Sequence, residues 1–144
     1  MPEDIQGQVL GFDFGLRQIG VASTHTAMGI VSPVGILNAK NGKVNAAEIS
    51  SLVKAWKPKL LIVGLPLNMD DTESELSKLA RGFADWLGKI TGLPTELVDE
   101  RLTSREAKAM ASEQGHSGDY RRQPVDAIAA CLILEQWLGN QSRP

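Results

Sequence analysis

Residues 9–22 read VLGFDFGLRQIGVA. The segment is mostly apolar, glycines stand at 11, 15 and 20, and one aspartate, Asp13, interrupts what otherwise reads as a buried strand. An unpaired carboxylate in an apolar interior is costly enough that it protonates, pairs or binds a metal. The glycines add a requirement that something approach the backbone closely here. With Gly15-Leu16-Arg17 taken as a turn, 8–14 and 18–24 become two strands, and 30–38 (IVSPVGILN), interrupted by Pro33, a third. Short segments joined by turns in this way predict an antiparallel meander.

Downstream, the apolar period changes. Asn45, with Glu48 three residues on, opens a helix whose positions Ile49, Leu52, Val53 and Trp56 follow helical spacing, and Pro58 stops it. LLIVG (60–64) is wholly apolar, the type of strand buried on both faces of a parallel sheet. Thr72 and Glu75 read as a capping box for a helix ended by Gly92 and Pro94. TELVDE (95–100) is the last strand candidate. Thr103 and Glu106 cap a further helix to Gly115, and Pro124 begins a final one to about Leu138. The order βββ-α-β-α-β-α-α predicts an α/β fold. It is a mixed five-stranded sheet, three antiparallel strands followed by βαβ units, flanked by helices, which is the ribonuclease H-like arrangement. One domain over 1–144, with a core from about 8 to 138, accounts for the whole chain.

Composition narrows the class. No apolar run reaches the ~18–20 residues needed to cross a bilayer, and MPEDIQGQ is unlike a secretory signal. The single cysteine, Cys131, sits in an apolar helical pattern, excludes an internal disulfide, and fits a reducing cytoplasm. The formal net charge of −2 gives no support to a non-specific nucleic-acid binder, which is usually basic, and is nearly neutral evidence. It leaves room for a metal-dependent nuclease, whose acidic site offsets basic residues elsewhere.

Carboxylates fall at three separated places: Asp13 in the first strand, Asp99 and Glu100 at the end of the last, and Asp126 in the first turn of the final helix. In open α/β sheets ligands collect beyond the carboxyl ends of the parallel strands, and a central first strand would bring these groups together there. Converging carboxylates raise one another's pKa unless cations neutralise them. Hard oxygen donors suit Mg²⁺ or Mn²⁺, and two such ions can activate a water and stabilise the leaving oxygen of a phosphodiester. With only His25 and His116 and no paired His or Cys spacing, a zinc site is not indicated. Each residue also has a plainer role available. Asp126 would compensate a helix dipole, and Asp99 or Glu100 would pair with Arg101 or Arg105 at a strand exit.

Four segments, FDFGLRQIGVA (12–22), IVGLPLNMDDTES (62–74), DERLTS (99–104) and VDAIAACLILEQWL (125–138), together resemble the YqgF/RuvX family. Its members are described as pre-16S rRNA nucleases or Holliday-junction resolvase-like proteins. The resemblance implies a ribonuclease H-like fold with a nuclease site using Mg²⁺ or Mn²⁺, two ions by the chemistry above. It implies Asp13, Glu100 and Asp126 as catalytic metal ligands, with Asp99 as the second choice beside Glu100. It also implies trimming of the 5′ end of precursor 16S rRNA in the cytoplasm. Leu16-Arg17 replaces the common Thr-Lys, and Asp71 stands where the family usually carries glycine. Neither change touches the three ligands.

Arg17, Arg101, Arg105, Arg121 and Arg122 each lie within a few residues of a proposed ligand and are candidates for phosphate contact. Asn68, in the loop after the apolar strand, is a further substrate candidate or the cap of the next helix. No aromatic-rich stretch supplies base-stacking platforms, so recognition by shape and backbone is expected. Structured RNA, the pre-16S precursor, is favoured over junction DNA, with no membrane partner and a monomer or homodimer as the assembly. Three alternatives stand beside this one. A junction resolvase would need a symmetric dimer. A nucleotide binder is suggested by D-F-G-x-x-x-x-G, and a non-catalytic RNA-binding assembly factor would keep only the fold.

Overall fold

The computed structural model describes residues 7–66, 74–99 and 125–141. Its elements in chain order are β1 (Gln8–Asp13), β2 (Gln18–His25), β3 (Val31–Asn38), α1 (Ala46–Trp56), β4 (Leu60–Leu65), α2 (Glu75–Thr91), β5 (Thr95–Asp99) and α3 (Val125–Gln141). The helix expected from Thr103 to Gly115 lies outside the described residues.

The five strands form one sheet in the order β3-β2-β1-β4-β5. β1 pairs antiparallel with β2 and β2 with β3, while β4 runs parallel to both β1 and β5. This is the mixed sheet expected from the change of period. All six residues of β4 are buried, as required of a strand covered on both faces. Pro33, which has no N–H to donate, is confined to the outermost strand, where the register shifts between Val21 and Ala22.

Side-chain alternation divides the core into two layers. Leu10 and Phe12 of β1, with Leu61, Val63 and Leu65 of β4, pack on α1 and α2 through Ile49, Phe83 and Leu87. Val9, Leu60, Ile62 and Val98 pack on the opposite side against Ala130, Ile133, Leu134 and Trp137 of α3. Gly11 belongs to the second face. A Cβ added there would lie 2.6 Å from Leu134 Cγ, closer than real carbon contacts allow. Its glycine admits the helix, and the close approach to the backbone expected at 11 is made by Leu134. Gly15 is explained by its turn, since a Cβ there would meet Gln18 O at 2.5 Å.

Helix ends follow the expected chemistry with one correction. Asn45 caps α1, its Oδ1 accepting from Ala47 N at 2.9 Å. Lys57 ends the helix in the left-handed region just before Pro58. Gly92 closes α2 in the same conformation. The start of α2, however, is set by Ser74 and not by the expected Thr72–Glu75 pair. Ser74 Oγ accepts from Ser77 N, and Ser77 Oγ accepts from Ser74 N. Ser77 is fully buried and its hydroxyl also donates to Pro66 O. A buried serine thus does the work that a glutamate does in the usual box, and ties α2 to the exit of β4. Ser74→Ala removes the cap at a cost of ~1 kcal/mol, so the melting temperature should fall by about 4 °C in calorimetry.

Cys131 lies on α3. Its burial, with the Glu135 carboxylate as the smaller cause, raises the thiol from 9.0 to about 11. Because the thiolate is the reactive form, iodoacetamide at pH 8 should label the native protein far more slowly than the urea-unfolded chain. Equal rates would contradict the burial. Among the described residues no helix is long and apolar enough to cross a membrane.

Candidate active site

Asp13 is the last residue of β1 and is half-buried. Its placement differs from the mid-strand position read from the sequence. The desolvation cost is smaller than a fully enclosed carboxylate would carry, and the side chain stands at the carboxyl edge of the parallel strands, where α/β sheets collect ligands. It shares parity with Val9 and Gly11, and so belongs to the face covered by α3.

Its two strand neighbours are glycines. Gly20 of β2 is its direct cross-strand partner. On the other side Phe12 pairs with Val63, which sets Gly64 at the level of Asp13. Directly opposed residues project to the same face. A side chain at 20 or 64 would therefore crowd the carboxylate, and with glycine at both no cross-strand Cβ stands beside it. Of the glycines in the opening stretch, Gly20 is the one that clears space at the aspartate. The donor is a hard oxygen and both of its strand neighbours are glycines, a combination that fits a small divalent cation.

Asp13 also lines a surface depression of ≈ 530 Å³ together with Arg17, Gln18 and Asn38. The turn beneath it is stitched to the loop after β3, with Ala39 N donating to Arg17 O at 2.7 Å and Gly42 N to Leu16 O at 2.9 Å. Arg17 is exposed. Gln18 and Asn38 are cross-strand partners. Neither was a sequence candidate, and the one available signal was a polar residue closing the apolar run IVSPVGILN.

Asp99 ends β5 opposite Leu65. It shares parity with Leu97, which packs on the α1–α2 side, so it faces away from the side of Asp13. Asp126 is the second residue of α3, a helix on the Asp13 side of the sheet. Glu100, Asn68, Arg101, Arg105, Arg121 and Arg122 lie outside the described residues. Among the described residues no group of three or more His, Cys, Asp or Glu is gathered to hold a metal.

Relatives and solved folds agree with this architecture. A protein of Azotobacter vinelandii named "Putative pre-16S rRNA nuclease" is 48% identical over 133 residues, covering 92% of this chain and 94% of its own. One of the same name from Chromohalobacter salexigens is 45% identical over 142 residues, covering 99% and 96%. Among solved structures, T. thermophilus RuvC in complex with a Holliday junction substrate superposes with a TM-score of 0.59 at 13% identity, covering 93% of this chain and 95% of that one. Fowlpox virus resolvase with its junction DNA gives 0.57 at 12% identity, covering 94% and 99%. Likeness at that identity speaks for the ribonuclease H-like fold. The model of the RuvX family, described as Holliday junction resolvase, matches residues 7–140, and with these close relatives the chain belongs to that family.

Proposed function

We propose that this protein is a divalent-metal-dependent nuclease that matures the 5′ end of precursor 16S rRNA in the cytoplasm. The observation that carries the reading is Asp13 at the carboxyl edge of the sheet, flanked by Gly20 and Gly64. The names of the relatives supply the RNA. Asp13, Glu100 and Asp126 are the proposed ligands for Mg²⁺ or Mn²⁺. Asp99 takes the other face, so alternation along the strand favours its neighbour Glu100. Bound ions would lower the pKa of an attacking water and offset charge on the leaving oxygen. The chain's own residues divide the remaining work. The carboxylates hold the reacting centre, and Arg17, in the same depression as Asp13, holds a phosphate of the backbone. Arg101, Arg105, Arg121, Arg122 and Asn68 are proposed to extend this contact along the substrate.

The family description favours a second reading, cleavage of four-way DNA junctions. It requires a two-fold dimer, because two strands are cut symmetrically. Incubation of the protein and Mn²⁺ with the 5′ region of precursor 16S RNA, with a four-way DNA junction and with plain duplexes separates the two. RNA cut at a discrete position, and protected by EDTA, is expected. Intact RNA beside a resolved junction would transfer the assignment to DNA. Intact substrates throughout would end the nuclease reading.

A further inference from the structure

A second cavity, of ≈ 510 Å³, opens between the loop after β3 and the outer side of α2. Its volume is within the ~300–1,000 Å³ typical of ligand sites. Phe14, the residue after Asp13, lines both this groove and the Asp13 depression. From Phe14 an aromatic row leads outward, with ring centroids 5.3 Å apart from Phe14 to Phe83 and 6.0 Å from Phe83 to Trp86. The two phenylalanines are buried, whereas Trp86 is half-buried and lines the groove. Lys43 and Lys78 border the groove, and its described lining contains no carboxylate. Lys78 Nζ lies 3.8 Å from Glu75 Oε1, but both side chains are largely exposed, and so weak a pair leaves the lysine free to reorient.

Gly82 makes the groove more than an accident of packing. It stands inside α2 and lines the cavity, yet a Cβ there would meet nothing within 4 Å. Glycine inside a helix costs roughly 0.5–1 kcal/mol relative to alanine, and no neighbour demands it here. Its consequence is an open groove.

We propose that this groove holds one unstacked base of a single-stranded segment adjoining the bond cut at Asp13, with the base on Trp86 and its phosphates against Lys43 and Lys78. Aromatic surface edged by cations is the pattern that binds single strands without reading sequence. Phe14 lines both the groove and the depression holding Asp13 and Arg17, which makes the two neighbours at the carboxyl edge of the sheet. The inference rests on the substrate being nucleic acid.

The test uses fluorescence anisotropy with a short labelled single-stranded RNA in EDTA. Mn²⁺-dependent hydrolysis of bis(p-nitrophenyl) phosphate, a diester too small to reach the groove, is followed in parallel. Gly82→Leu should fill the groove and weaken RNA binding at least about tenfold, the loss expected for one displaced stacked base. Diester turnover and melting temperature should hold. The double variant Lys43→Gln/Lys78→Gln should reduce the slope of log K against log salt by about 1.4, two single-strand phosphate contacts, and it decides alone if Gly82→Leu fails to fold. Wild-type affinity and slope in the variants overturn the proposal and leave the groove to an apolar protein segment. Absent diester hydrolysis by the wild type counts against the nuclease reading, while the binding readouts still decide the groove.

Discussion

Asp13→Asn should abolish Mn²⁺-dependent cleavage, lowering the initial rate by at least about 10³-fold. The substitution keeps the size of the side chain and removes its charge at a half-buried position at the end of β1. What is lost is the anionic oxygen of a proposed metal ligand. Metal-assisted stabilisation of developing charge contributes several kcal/mol, and each 1.36 kcal/mol is a factor of ten in rate. Two measurements separate this from a folding defect. The variant should melt cooperatively in EDTA, within a few degrees of the wild type, as most single substitutions at incompletely buried positions do. Added Mn²⁺ should raise the melting temperature of the wild type and not of the variant, because a ligand that binds only the folded state stabilises it by mass action. Cleavage within about tenfold of wild type would remove Asp13 from the site.

The largest effect on stability is expected at Gly11. Gly11→Ala places a methyl group 2.6 Å from Leu134 Cγ and 2.8 Å from its Cδ2. Leu134 is fully buried, and overpacking of this kind typically costs ~1–3 kcal/mol. Leu134→Ala alone should cost ~2–5 kcal/mol through the cavity it leaves. In the double variant the new methyl occupies part of that cavity. The combined loss in urea unfolding should then fall short of the sum by ~1 kcal/mol or more, as for residues in direct contact. Strict additivity would mean that α3 does not approach β1 as described. Since α3 also carries Asp126, a proposed ligand, Gly11→Ala should weaken cleavage as well, by displacing that helix.

Much of the fold was legible in the chain because it rests on local periods. LLIVG announces a strand buried on both faces, and Asn45 and Gly92 mark helix ends through capping preferences that act within one turn. The cap of α2 was misplaced for an equally local reason. Thr72–Glu75 fits the usual pattern, whereas Ser74–Ser77 works because Ser77 is buried against Pro66 O, a contact between elements. The candidate site was legible less fully. Asp13 and Arg17 were both recognised and do share one depression, but Asn38, far away in sequence, joins them only through the pairing of β2 with β3. The aromatic row was invisible because its members come from positions 14, 83 and 86, not from one aromatic-rich stretch.

By itself, then, the sequence determined the order of the described strands and helices, the family, and an aspartate that required a partner. Those are properties of neighbouring residues and of short repeats in hydrophobicity. Only the tertiary structure decided which glycine serves what. Gly11 lies under Leu134 and makes room for a helix, Gly15 closes a turn, and Gly20 faces Asp13 across a strand pair. It also decided that Asp99 turns away from the face of Asp13. The physical reason is common to all of these. Composition says that a residue is small or charged, but the pairing register and the face of the sheet select its neighbours, and both are set by contacts between residues distant in the chain.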